Sequence, residues 1–251
     1  MKQKTLGVHG RQKLLEQLFI ELMRNGVIHF RATPASGKTT LARLFFDYIL
    51  ENKPDYTSVY HCWVGQAASV SSLQTNIPGT IWSTENLIII IDEAQESYED
   101  VAFWVNFIKF QAGGIPSSPY FLLFSSFGSP ESAVVRPKNS TPIQLSVSQR
   151  VSLRLGSPDA NSVLRLCFDE QELKELVEKF SQDFWEGLTI EQEVINQIWL
   201  ISYGHPGVVG AILSGLNQEL VSRLHLYILG RCVLPNYRVS KILFVPLAVY
   251  I

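Results

Sequence analysis

Short β-prone apolar runs alternate along residues 1–155 with longer stretches in which apolar positions recur every third or fourth residue. That alternation predicts a mostly parallel sheet flanked by helices, because each crossover between parallel strands leaves room for a helix. Leu14, Leu15, Leu18, Phe19 and Leu22 form one face of a first helix, with Arg11, Lys13, Glu16 and Glu21 between them. Strands are expected at 27–31, 56–64, 87–91, 120–126 and 150–155. The run 87–91 is Leu-Ile-Ile-Ile-Ile, with no polar alternation, which suits a central strand covered on both faces. Leu41, Leu44, Phe45, Tyr48 and Ile49 give a second helical face, 69–75 a short helix, and Val101, Trp104, Val105, Ile108 and Phe110 the inward face of another.

Ser, Pro and Asn become frequent between 128 and 150, where Pro130, Pro137 and Pro142 exclude a long helix. From Asp169 the pattern changes to helical. Asp169 is placed to cap a helix whose face is Leu173, Leu176, Val177 and Phe180, and further helices follow at about 190–202 and 206–220. The expected organisation is an α/β domain over 1–155, a small all-helical lid over 156–225 and an apolar tail over 226–251. Arg231, Arg238 and Lys241 cut that tail into runs too short to span a bilayer.

Charge narrows the function classes. Lys+Arg 21 against Asp+Glu 23 leaves a formal charge of −2, so composition does not point to nucleic acid or anionic lipid. Cys62, Cys167 and Cys232 are far apart with no CxxC pair, and read as core thiols in a reducing compartment. The amphipathic start is unlike a signal peptide, so an intracellular place, cytoplasmic or nuclear, is expected. The scattered Trp63, Trp82, Trp104, Trp185 and Trp199 suit core packing better than a base-stacking platform.

Chemistry enters at residues 32–39, Ala32-Thr33-Pro34-Ala35-Ser36-Gly37-Lys38-Thr39, which match the broader phosphate-loop (Walker A) pattern between a strand and a helix. Such a loop turns successive backbone N–H groups inward, and the positive end of the following helix, starting near Thr40, adds to the anion site. Lys38 would lie along the β and γ phosphates of a bound triphosphate, and the Thr39 hydroxyl would ligate Mg²⁺. Ala32 stands where Gly is more usual. The run 87–95 ends in Asp92-Glu93-Ala94-Gln95, a Walker B pattern in which Asp92 would hold Mg²⁺ and Glu93 would polarise the attacking water.

Together these two motifs resemble the AAA+ and STAND branch of P-loop ATPases. The resemblance implies that Gly10 and Arg11 lie next to the adenine pocket, that Ser126, after Ser125, occupies the polar sensor position, and that Gly204-His205-Pro206 brings Pro206 against the base. The run 31–40, Arg-Ala-Thr-Pro-Ala-Ser-Gly-Lys-Thr-Thr, and Gly-His-Pro-Gly at 204–207 look most like the ATPase modules of fungal crinkler-type proteins. Two departures stand out: serines at the sensor position, and no arginine opening the last helix. Arg136, Arg150 and Arg154 remain as candidate arginine fingers toward a neighbouring subunit, although surface solvation or a local ion pair is the commoner fate of such arginines.

The implied function is Mg²⁺-dependent ATP binding and hydrolysis coupled to movement of the lid. An alternative from another class is a nucleotide-held switch or scaffold with little turnover, presenting a surface to a protein partner or a second copy. A small-molecule kinase would share the loop, but this sequence shows no arginine-rich lid run, and the Asp92-Glu93 pair suits water activation better.

Overall fold

The strands richest in apolar residues occupy the middle of the sheet. The computed structural model describes residues 11–63, 73–74, 77, 79–82, 84–126, 143–152, 164–184 and 190–218. Its five strands are β1 (Val27–Ala32), β2 (Thr57–Cys62), β3 (Leu87–Asp92), β4 (Tyr120–Ser126) and β5 (Arg150–Ser152). They run parallel in the order β2-β3-β4-β1-β5. β4 therefore separates the strand feeding the loop from the strand carrying the acidic pair. This is the P-loop NTPase fold, with helical segments following the sheet in sequence.

Period-two alternation sends each central strand into two cores. Ile28, Phe30, Ile88, Ile90, Leu122 and Phe124 face one cluster with α1 (Gln12–Asn25) and α2 (Lys38–Asn52). Val27, Ile89, Ile91, Phe121 and Leu123 face the other, which is closed by Phe103, Trp104 and Ile108. Gly26, at φ 70°, ends α1 and donates its N–H to Leu22 O at 2.9 Å, which turns the chain directly into β1.

The helix over 101–113, here α3, differs from its sequence reading. Its turns Val101–Phe103 and Lys109–Gly113 are α-helical, but Trp104–Ile108 widens into a π turn. Its buried residues are Phe103, Trp104, Ile108 and Gln111, whereas Val101, Val105 and Phe110 are exposed. The inward face is set by an aromatic cluster in which Phe103 meets Trp63, Trp104, Phe107 and Phe121. Two smaller differences follow. β2 is shorter than 56–64, and Cys62 at its end is exposed rather than a core thiol. Cys167 is buried, and Cys232 lies outside the described residues.

Two compact units are distinguished, Met1–Gly210 and Ala211–Ile251. The first holds the sheet and also α4 (Glu170–Phe184) and α5 (Gln192–Ser202). α4 starts as the sequence predicts. Asp169 Oδ1 accepts from Glu172 N at 2.7 Å, and Glu172 Oε2 accepts from Asp169 N at 2.9 Å. That reciprocal capping box contributes about 1 kcal/mol. Residues 206–210 are helical at the end of the first unit, and in the second the described residues, 211–218, are helical. No helix among the described residues is long and apolar enough to cross a membrane. The segment 69–75 lies mostly outside the described residues, as do 128–142 and the tail 226–251.

Candidate functional site

β1 delivers the chain into the loop at Ala32, and α2 begins at Lys38. Gly37 sits at φ 86°, a left-handed conformation in which a side chain would be strained. Ala35 adopts φ 60° although it carries a Cβ. Among the described residues only Ala35, Glu93 and Tyr203 are non-glycine residues at positive φ. One lies in the loop, one in the acidic pair and one beside the 204–207 turn, so the backbone strain is gathered where the motifs predict function.

The Lys38 ammonium is turned back on the loop itself, donating to Ala32 O at 3.1 Å and Thr33 O at 2.8 Å. Burial lowers its pKa, and the charges of Glu93 and Asp92 oppose that shift. Ser36 is fully buried, and its hydroxyl has no partner among the described residues. A buried polar atom of that kind is costly unless something else satisfies it. Thr39 is half-buried in the first turn of α2, with Thr40 exposed beside it and Thr33 and Pro34 exposed on the loop.

Asp92 is buried at the end of β3 and receives one donor on each oxygen. The Tyr60 hydroxyl donates to Oδ2 at 2.9 Å, and Glu93 N donates to Oδ1 at 3.0 Å. Tyr60 comes from β2, which lies directly beside β3. Burial, then the bond to Asp92, pushes the Tyr60 pKa upward, so it remains a donor. The exposed Cys62 pairs in register with Asp92, and burial, then Asp92 and Glu93, raises its thiol. Each Asp92 oxygen keeps a free lone pair. Among the described residues no three His, Cys, Asp or Glu side chains form a metal cage. One carboxylate and one hydroxyl fit Mg²⁺, which takes few protein ligands and keeps water and phosphate oxygens.

Glu93, at φ 55°, is held by Gln95, whose amide donates to Glu93 Oε2 and whose Oε1 accepts from Ser126 N at 2.9 Å. Ser126 in turn lies opposite Ala32 in the β1–β4 register. The expected sensor position is therefore connected to the acidic pair through a residue that sequence reasoning passed over. Gln95 stood in the quoted run, but its partner could not be read before β4 was known to lie beside β3. Tyr60 was missed for the same reason.

The 204–207 turn returns to the phosphate loop. An added Cβ on Gly207 would lie 2.5 Å from Ala35 O, and one on Gly37 would lie 3.4 Å from Pro206 Cβ and Cγ. Thr33 Oγ1 and His205 Nε2 are 3.4 Å apart. Gly204, at φ 72°, accepts from Phe168 N at 2.8 Å, and a Cβ there would meet Phe168 O at 2.2 Å.

Arg11, read as a neighbour of the adenine pocket, is buried against the same 166–172 segment. It donates to Leu166 O at 2.6 Å, stacks 4.4 Å over the Phe168 ring and approaches Glu172 at 3.8 Å. Gly10, Arg136 and Arg154 lie outside the described residues. Arg150 is exposed and donates to Ser146 O at 3.3 Å.

No protein-family profile matches the sequence, and no curated protein matches it. Solved structures with a similar fold include a Walker-type ATPase of Pyrococcus abyssi, at 12% identity and a TM-score of 0.48, over 90% of this chain and 76% of that one. A RuvB variant of Thermotoga maritima matches at 17% identity and a TM-score of 0.44, over 85% and 64%. DnaA of Aquifex aeolicus bound to AMPPCP matches at 14% identity and a TM-score of 0.44, over 91% and 71%.

Proposed function

We propose that this chain binds ATP at residues 32–39 and hydrolyses it, as a regulatory ATPase of the AAA+/STAND type. The observation that carries the proposal is that the loop after β1 and the acidic pair ending β3 leave the same edge of the parallel sheet, one strand apart, with Ala35, Gly37 and Glu93 all held at positive φ. Backbone N–H groups from Ser36 to Thr40 bind the phosphates, and Lys38 leaves the Ala32 and Thr33 carbonyls for the β and γ oxygens. Thr39 and Asp92 would hold Mg²⁺, which when bound neutralises phosphate charge.

Glu93 takes a proton from water as the water oxygen bonds to the γ phosphorus. The bond from that phosphorus to the β–γ bridging oxygen breaks, its electron pair leaves with ADP, and the proton returns to solvent when phosphate departs. The 204–207 turn, packed on Ala35 and Gly37, would carry the nucleotide state to α4 and α5 in the expected lid. The runs 31–40 and 204–207 support the narrower reading of a crinkler-type module.

The switch reading is favoured by one observation, the lack of an arginine at the start of the helical stretch 206–218. Glu93→Gln separates the two. Under the hydrolase reading kcat falls about 10²- to 10⁴-fold while ATP affinity by calorimetry is kept. A parent protein without turnover, or a variant equal to it, decides for the switch.

A further inference from the structure

Gln95 has a fixed orientation. An amide side chain can be turned either way, but a backbone N–H only donates, so the group facing Ser126 N must be the amide oxygen. Its NH₂ must then face Glu93, where it donates to Oε2. The carboxylate that would accept the proton is thereby tied to the end of β4, next to the strand that enters the loop. Glu93 needs such a tie. It stands at φ 55° just past the end of β3, with no neighbouring ladder to hold its side chain.

We infer that Gln95 is a positioning residue for the proposed hydrolysis, setting the direction of the Glu93 carboxylate from the backbone of Ser126. The inference rests on the hydrolase reading. Gln95 does not touch the phosphates in this role. It acts through Glu93, and it makes the end of β4 part of the catalytic geometry although the serines there carry no charge. A displacement of Ser126 moves the amide and with it the general base, so the sensor position would speak to Glu93 without an Arg or Asn of its own.

Two variants isolate the contact. Gln95→Ala removes both bonds. Gln95→Glu keeps an oxygen to accept from Ser126 N but has no donor for Glu93, and places a second carboxylate beside it. Both are expected to lower kcat about 10²-fold, the cost of a misplaced reacting group. ATP affinity by calorimetry and the thermal midpoint should stay at the parent values. In a Glu93→Gln background neither change should lower turnover further, because a residue acting through Glu93 has nothing left to position. A Gln95→Glu protein that turns over like its parent overturns the inference alone, since the donor to Glu93 is then dispensable. Loss of ATP affinity or of folding in step with turnover in both variants also overturns it, assigning Gln95 to structure. A parent with no turnover overturns the hydrolase reading and this inference with it.

Discussion

Gly207 lies against Ala35 with no room for a side chain between them: a Cβ on the glycine would sit 2.7 Å from Ala35 Cβ and 2.5 Å from its carbonyl oxygen. Two segments far apart in sequence, the phosphate loop and the turn after α5, are thus in backbone-level contact.

Gly207→Ala should therefore push the turn off the loop, at a cost of about 1–3 kcal/mol from overpacking. Gly210→Ala is the control, because nothing lies within 4 Å of its added Cβ and helical Ala gains about 0.5–1 kcal/mol over Gly. Urea unfolding of both variants, followed by calorimetry with ADP, measures the contact. Equal stability in the two would show that the turn and the loop are not coupled in solution.

Lys38→Ala should weaken ATP binding about 10- to 100-fold, the loss of charge-assisted bonds worth about 1.5–3 kcal/mol. The measurement is calorimetric titration with Mg²⁺ present. Binding at parental affinity would remove the loop from the proposal.

Acid sensitivity should trace to His29. It is fully buried on β1, with Nε2 2.7 Å from Ser125 Oγ and the Tyr98 and Trp104 rings edge-on to it. Burial, then the nearby Arg31 charge, pushes its pKa down to about 3 from 6.5. The unfolded chain takes up a proton near pH 6.5 while the folded chain resists until about pH 3. The stability from the neutral form is therefore complete above about pH 6.5 and is lost as pH falls, by about 1.4 kcal/mol per unit. Between pH 7.5 and 5.0 His29→Gln should lose about 2 kcal/mol less than the parent protein in denaturant titrations. Parallel pH profiles for the two proteins would exclude His29 as the cause.

Much of this arrangement is readable from local pattern. β4 begins and ends where the apolar run 120–126 does, and Asp169 caps α4 because capping depends on three or four neighbouring residues. The loop and the acidic pair are legible because their chemistry demands contiguous residues. What escapes is whatever depends on strand order. Tyr60 and Gln95 acquire partners only once β2 and β4 flank β3. The same holds for α3, where the aromatic cluster, together with the π turn, decides which side faces in. Val101, Val105 and Phe110 fit a helical face on paper, yet Phe103 and Gln111 take the interior.

Three residues with side chains in the left-handed region among the described residues, Ala35, Glu93 and Tyr203, also shape how this protein would change under selection. Each holds a conformation that glycine would adopt more cheaply, by about 1–2 kcal/mol per residue. At position 93 that relaxation would discard the carboxylate to which the proposed hydrolysis gives the proton of water. A search for thermostable variants that ignored turnover would therefore be drawn to glycine at 93, and its best hits would be sturdier proteins that bind nucleotide and leave it intact.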